Sequence, residues 1–503
     1  MRKAVPTFTP LIPINRRSGR PLHRQIYDAF RATIVARNLS SGQQLPSTRT
    51  LASELGISRI PVLNAYAQLL AEGYFETRVG AGTFVSSALP EHTSPPEDRT
   101  ISPIKINSRT RRISRSSLLL PAYKRAPWVR HHGAFSLSHP ALDAFPFKVW
   151  ANLVARHSRN PLISSLEYGN PMGLKQLREV IAMYLRASRA VRCEPHQIVI
   201  VSGSQQALDL SSRVLLNAGD SVWIEEPGYW LARHVVLSAG CRIVPVPVDP
   251  EGLDVAAGIK RCRNARAAFV APSHQFPLGV TMSASRRLRL LDWARQAGAW
   301  IIEDDYDSEY RYGSKPIASL QGLDDSSRVI YIGTFSKVLF PSLRVGYLVL
   351  PPDLVDHFLS VRHAMDVSPP YLYQAVLADF IVEGHFSRHI RRMRTLYGER
   401  RGILVESLQR EFGSALKIAG DTAGMHLAVA LPRGVNDREI ANRAAQESLW
   451  LWPLSSTYMA KSARHGFILG FGSTTASEIP AAIRHMRAIL APSHASCRRS
   501  GVV

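Results

Sequence analysis

Four short segments hold residue types suited to one kind of chemistry. Lys337, in Thr334-Phe335-Ser336-Lys337, follows an apolar run. A lysine held at a strand end can form a Schiff base with an aldehyde. Ile301-Ile302-Glu303-Asp304-Asp305-Tyr306 ends a strand-like run in carboxylates and a phenol. A carboxylate there can hold a protonated pyridine nitrogen. Gly203-Ser204-Gln205-Gln206 leads from a strand-like run directly into a helical one. Helix N-terminal amides and small hydroxyls suit a phosphate. Arg344 lies seven residues past Lys337, in LFPSLRVGYLVL. A guanidinium there can clamp a phosphate bidentately. Each feature alone has a plainer reading: a surface lysine, a solvated acidic loop, an ordinary helix start. Their order and spacing together describe a site for an aldehyde with a basic ring nitrogen and a phosphate, which is pyridoxal 5'-phosphate (PLP).

The elements that must position these groups alternate in type. Short β-rich runs (197–202, 221–225, 267–271, 300–303, 329–333) are separated by helical patterns such as 205–216 and 285–297. Near-continuous apolar strands with helical crossovers imply an α/β sheet covered on both faces. This region runs from about Phe135 to Ala491.

The N-terminal 20–87 segment reads differently. Pro21-Leu22-His23 opens a helix with Ile26, Ala29, Phe30, Thr33 and Ile34 on one face. Thr48–Leu55 is a short helix broken at Gly56. Ser58 is placed to cap a second helix, whose buried stripe is Val62, Ala65, Tyr66, Leu69 and Leu70. Helix, glycine turn and capped helix is a helix-turn-helix pattern, whose second helix enters the DNA major groove by its N-terminal residues, here Arg59 and its neighbours. Residues 73–78 and 80–85 then read as a two-stranded wing with a small-residue tip.

Composition agrees with a polyanionic partner. Lys and Arg number 62 against 39 Asp and Glu, a formal charge of +23, and nucleic acid is the usual counterpart. Between the two regions, 88–134 is a Pro/Ser-rich basic linker. It carries Arg99, Lys105, Arg109, Arg111, Arg112, Arg115, Lys124, Arg125 and Arg130, and no acid falls between Arg99 and Leu142. That charge either solvates the linker or brushes phosphates. The cysteines (Cys193, Cys241, Cys262, Cys497) form neither a CxxC pair nor a disulfide framework. No metal site is expected. With no signal peptide and no apolar run near the ~20 residues of a membrane span, a cytoplasmic protein without membrane contact is expected.

PLHRQI, SGQQLPSTRTLASELGISR and AYAQLLAEGYFETRVGAGTFV resemble the GntR-type winged helix throughout. The resemblance implies DNA contacts at Ser47, Arg49, Ser58, Arg59, Gly82 and Thr83. The polar pair that usually follows Ser-Arg is here Ile60-Pro61, which removes side chains that often face DNA. ALDAFPFKVW, LEYGNPMGLKQLREVIAMYLRASRAVRC, SGSQQALDL, EEPGYW, PSHQFPLG, IIEDDYDSEYRY and GTFSKVLFPSLRVGYL resemble fold-type I aminotransferases. More narrowly they resemble the effector domain of MocR-type (PdxR/GabR-like) regulators. HQFPLG stands in place of the Asn-Pro-Thr-Gly loop of true aminotransferases. The implied fold is α/β: a winged helix-turn-helix, then a fold-type I PLP-dependent aminotransferase-like domain over 135–495.

The same resemblance assigns roles. Lys337 carries the Schiff base, Asp304 pairs with the pyridine nitrogen and Tyr306 bonds the ring hydroxyl. Ser204, Gln205, Ser336 and Arg344 hold the phosphate, and Tyr229 stacks on the ring. Leu278 and Ala190 depart from the family's usual Thr/Ser and Gly. Arg464 is the nearest candidate cation for an amino-acid effector's carboxylate; His426, in AGMHLAV, either faces the site or packs. The implied partners are a double-stranded DNA operator, PLP with an amino-acid or amine effector, and a second copy in a head-to-tail homodimer. Three functions remain open: a PLP-responsive regulator, an active aminotransferase with a tethered DNA reader, and a domain that only dimerises the reader.

Overall fold

The computed structural model describes residues 12–78, 80–87, 113–123, 125–129, 133–159, 161, 163–313, 317–432, 434–459 and 464–491. The linker expectation over 88–112, and Lys124 and Arg130, lie outside them. The chain divides into two compact units, 1–112 and 113–503.

The first unit contains helices α1 (Leu22–Val35), α2 (Thr48–Glu54) and α3 (Arg59–Ala71) and an antiparallel wing, β1 (Phe75–Arg78) with β2 (Gly82–Val85). Ile26, Phe30 and Ile34 of α1 meet Val62, Ala65, Tyr66 and Leu69 of α3 in one core. Phe30, Tyr66 and Phe75 pack edge to face with centroids 5.1–5.6 Å apart. Burial of each such side chain stabilises by roughly 1.5–3 kcal/mol, so the α3 stripe fixes which face stays outside. Ser47 caps α2 by accepting from the Thr50 N–H at 3.1 Å. Ser58 occupies the corresponding position before α3, but its side chain makes no capping bond. Pro61 narrows the options: of the second and third helical N–H groups that a capping oxygen takes, the third is a proline with none to give.

The second unit is built on an eight-stranded mixed sheet. Its strands are β3 (Ile198–Val201), β4 (Ser221–Glu226), β5 (Arg242–Asp249), β6 (Gly252–Leu253), β7 (Ala267–Val270), β8 (Trp300–Asp305), β9 (Val329–Thr334) and β10 (Gly346–Val349). They are ordered β3-β10-β9-β8-β7-β4-β5-β6. Alternate residues serve opposite faces. Ile198 and Ile200 pack in the cluster that includes Leu177, Ile181 and Leu377, whereas Val199 and Val201 pack with Leu208, Leu210 and Phe358. The sheet is therefore covered on both sides. β5, β4, β7, β8 and β9 run parallel, and β10 runs antiparallel between β9 and β3. The ends of β3, β4, β7, β8 and β9 and the start of β10 consequently share one edge, where open α/β sheets bind ligands. A second, antiparallel sheet comprises β11 (Lys417–Ala419), β12 (His426–Ala430), β13 (Trp452–Pro453) and β14 (Gly466–Gly470). Arg115–Leu118 is a short helix of this second unit.

Candidate PLP and DNA sites

Along that edge lies a cavity of about 260 Å³. Five of the eight residues assigned to the cofactor line it: Ser204, Tyr229, Asp304, Tyr306 and Lys337. They come from β3's exit, β4's exit, the end of β8 and the turn after β9. Leu137, Ser138, Glu225, Trp230, Phe276 and Trp452 complete most of the wall.

Lys337 donates from Nζ to the Ser138 carbonyl at 3.3 Å. Burial pushes its amine down to about 8, although Asp307 and Asp304 hold it up. Burial and the neighbouring Asp305 push Asp304 up to about 7, which the Lys337 charge opposes. Asp305 itself is engaged elsewhere, accepting from Arg189 at 2.7 Å and from the Tyr331 hydroxyl at 2.6 Å. Asp304 Oδ1 is buried without a hydrogen-bond partner. A buried carboxyl oxygen of this kind fits a pyridinium N–H.

Gln205, Ser336 and Arg344 do not line the cavity wall. Arg344 arches over Gly203, where an added Cβ would come within 2.9 Å of its Nη2, and it donates to the Ser202 carbonyl. Its guanidinium therefore sits at the N-terminus of helix Ser204–Leu215. Gln205 donates from Nε2 to the Leu231 carbonyl at 3.2 Å. Gln205 Oε1 and the Ser336 hydroxyl are buried without partners. Guanidinium, helix terminus and Ser204 form an anion cradle, so the residues present fit a phosphate as well as a ring.

Tyr306 reaches the cavity, but its hydroxyl donates to the His274 carbonyl at 2.8 Å. His274 is tied through Nδ1 to Asp307 at 3.0 Å, and its ring centroid lies 4.6 Å from that of His426. His426 is buried behind the wall; burial and His274 hold it well below the usual histidine range. Arg464 is not at this cavity. It is exposed and borders a separate one with Asp249, Leu278 and Asp421. Leu278 is buried with Leu137, Phe276, Leu454 and Ile468, which accounts for an apolar residue there. Ala190 adopts φ 53° at the C-terminus of helix Lys175–Arg189, a position that favours the family's usual glycine.

Sequence reasoning missed Glu225. It is fully buried on β4, accepts from Gln275 Nε2 at 3.3 Å and keeps Oε1 unpartnered. Burial pushes it up to about 8. It stands in the quoted EEPGYW, so an acid inside an apolar strand was the available signal. Trp452 carried none, because it reaches the wall from the second sheet.

In the first unit, Ser47, Arg49, Ser58 and Arg59 are exposed around the starts of α2 and α3. Arg59 donates from Nε to Thr48 Oγ1 at 3.1 Å. Gly82 takes φ 108° at the start of β2, beside Thr83. Ile60 and Leu63 are 67% and 42% exposed on the same side of α3.

The bacterial regulatory proteins of the gntR family match residues 22–85, and aminotransferase class I and II matches 141–467. The probable rhizopine catabolism regulatory protein MocR of Rhizobium meliloti is 41% identical over 478 residues, 95% of either chain. The pyridoxine biosynthesis transcriptional regulator PdxR of Corynebacterium glutamicum is 30% identical over 92% of this chain and 94% of its own. Among solved structures, the α-aminoadipate aminotransferase LysN of Thermus thermophilus, complexed with N-(5'-phosphopyridoxyl)-L-leucine, is 28% identical. Its TM-score is 0.66, over 71% of this chain and 91% of its own. An archaeal alanine:glyoxylate aminotransferase is 26% identical with a TM-score of 0.70, over 75% and 97%. Matched along almost its whole length by such regulators, the chain belongs to the MocR-type GntR family, transcription regulators that join a DNA-binding winged helix to an aminotransferase-like domain.

Proposed function

We propose that this regulator binds PLP through Lys337 and that loading of the cavity, with or without an effector amine, changes its affinity for an operator. The observation that carries this reading is the convergence of Ser204, Tyr229, Asp304, Tyr306 and Lys337 on one cavity. These residues span more than a hundred positions of sequence, and a domain that only dimerised a reader would need none of them there. PLP supplies, when bound, an aldehyde that condenses with primary amines. Lys337 offers the amine, Asp304 the pyridine-nitrogen partner, and Arg344 with Ser204 and Ser336 the anion cradle. Tyr229 offers a ring face, and the Tyr306 hydroxyl, which donates to the His274 carbonyl, can still accept from the ring hydroxyl. The LysN complex holds a phosphopyridoxyl group on a related domain, and PdxR regulates pyridoxine biosynthesis. Both support the reading.

Regulation requires that the ligand bind one state of the protein better than another; equal affinity for both shifts nothing. The proposed assembly is a head-to-tail homodimer reading two half-sites through Arg49, Arg59, Gly82 and Thr83, in the cytoplasm. Its stoichiometry is measured by light scattering. The function is tested by gel shift on DNA upstream of the gene, with and without PLP, at fixed salt, for wild type and Lys337→Ala. A specific shift that responds to PLP, and loses that response in Lys337→Ala, is expected. A specific shift indifferent to PLP overturns cofactor gating. The aminotransferase relatives favour a second reading, residual transamination, and sustained keto-acid release from an amino acid would establish it.

A further inference from the structure

The wall beyond Lys337 and Asp304 is aromatic. Trp230 and Trp452 stack with centroids 4.9 Å apart and planes at 26°. Phe276 stands 5.8 Å from Trp230 at 62°. The Trp452 indole N–H is already satisfied by Ser456 Oγ at 3.1 Å, so the indole has only carbon surface left to offer. Leu137 and Val129 extend the apolar surface. The ionisable groups on the described wall are two acids, Glu225 and Asp304, two phenols and the Lys337 amine. The Arg344 guanidinium, whose charge acts on Tyr229 and Lys337, belongs to the anion cradle over Gly203. Arg464, the sequence's candidate for a carboxylate, lies on the other cavity among Asp249 and Asp421. A carboxylate brought here would find no free guanidinium on the described wall and would give up its hydration, which is unfavourable. An aromatic body would meet three rings, each pair worth more than its buried area alone.

We propose that the effector amine is a primary amine with an aromatic body and no carboxylate, seated against Trp230, Trp452 and Phe276. The proposal rests on PLP occupying the cavity. With PLP held through Lys337, an effector amine would take the place of the lysine nitrogen, and its two protons would pass to Lys337, which would be left as a free amine; no oxidant or reductant would be needed. Asp304 is kept for the ring nitrogen, and the stacked indoles beside Glu225 select the amine's body.

The test uses the full-length protein loaded with PLP. The visible absorption of the bound cofactor is followed on titration with phenethylamine, phenylalanine, ethylamine and γ-aminobutyrate. Phenethylamine is expected to half-saturate the change at a concentration roughly ten-fold below ethylamine and γ-aminobutyrate, the worth of an aromatic contact plus its burial, and below phenylalanine as well, through the cost of desolvating its carboxylate. Trp452→Leu is expected to erase that advantage and Trp452→Phe to keep most of it, with the cofactor's own absorption in each variant checking the fold. Phenylalanine or γ-aminobutyrate matching phenethylamine overturns the exclusion of carboxylates. Ethylamine matching it overturns the aromatic seat. A cofactor band that no amine alters overturns the proposal while leaving PLP binding intact. Failure to form any band removes PLP binding, and the proposal with it.

Discussion

Replacing one thymine by uracil in the operator removes a single methyl group and nothing else, and α3 makes that methyl matter. Ile60 and Leu63 are 67% and 42% exposed and stand at i and i+3 on one face, beside Arg59 at the helix start. When a helix enters the major groove by its N-terminal turns, the apolar feature it meets is the thymine C5 methyl. Covering one methyl is worth about 0.8 kcal/mol, or roughly four-fold in affinity. Two such contacts give roughly fifteen-fold if they add. The assay is fluorescence anisotropy on a selected operator duplex, with each thymine of a half-site replaced in turn, at fixed salt. At one or two positions uracil should weaken binding about four-fold. The salt dependence should stay unchanged, because no charge is lost. Ile60→Ala should weaken binding to the thymine duplex and cancel the penalty at one of those positions, the coupling expected of a direct contact. If every replacement stays within about two-fold, Ile60 and Leu63 do not face bases, and the assignment of α3 to the groove by this face is wrong.

Three other outcomes are expected. Capture of PLP needs the neutral amine of Lys337, held down at about 8 by burial. The capture rate should therefore climb to about pH 8 and then level; a climb continuing toward 10.5, the ordinary value, would contradict it. Over that same window the folded protein binds fewer protons at Lys337 than the unfolded chain, so this residue's contribution to stability rises with pH. Glu225 has the opposite sign. Burial raises it to about 8 from 4.5, so the folded state binds more protons across that range, and its contribution falls as pH rises. Glu225→Gln should match or trail wild type at about pH 5 and exceed it in thermal midpoint at about pH 8.5; parallel curves would sink the argument. Ala190→Gly should stabilise by about 0.5–1 kcal/mol in urea unfolding. It removes left-handed strain of ~1–2 kcal/mol and adds unfolded-state freedom of ~0.4–1 kcal/mol; a net loss would mean the Ala190 methyl packs usefully.

What the residues disclosed in advance depended on locality. Strand β3 and helix Ser204–Leu215 fall within a residue or two of their expected bounds, because both are written in local periodicity and a glycine between them. The same holds for α2 and for the start of α3, divided by Gly56. Ser58 shows the limit of a local rule: it stands at the N-cap of α3 as expected, yet its side chain makes no capping bond, and Pro61 offers one donor fewer for it. Arg464 shows a different failure. Its position before β14 (Gly466–Gly470) was legible, yet which side of the second sheet it borders depends on packing between β12, β13 and β14, and no local pattern encodes that. Trp452 entered the wall for the same reason that Arg464 left it.

The energetics of the cavity bear on why such a domain can act as a sensor. Asp304 and Glu225 are both raised by burial and Lys337 is lowered by it, so each group pays in desolvation for standing where it does. A ligand that gives Asp304 a cationic partner, and draws on the Lys337 amine in its neutral form, relieves two of those strains at once. Whatever binds the folded state and not the unfolded one stabilises it by mass action. The relief is felt at β8, through Asp304, and at the turn after β9, through Lys337, two adjacent strands of the central sheet. Asp304 stands on β8 itself, whose residues pack into the layers on both faces, so part of any such binding free energy would act on the sheet. For that energy to reach an operator, the loaded and unloaded large domains must differ in a contact that the reader experiences. A variant that binds PLP normally yet leaves operator affinity indifferent to it would mark where that contact lies.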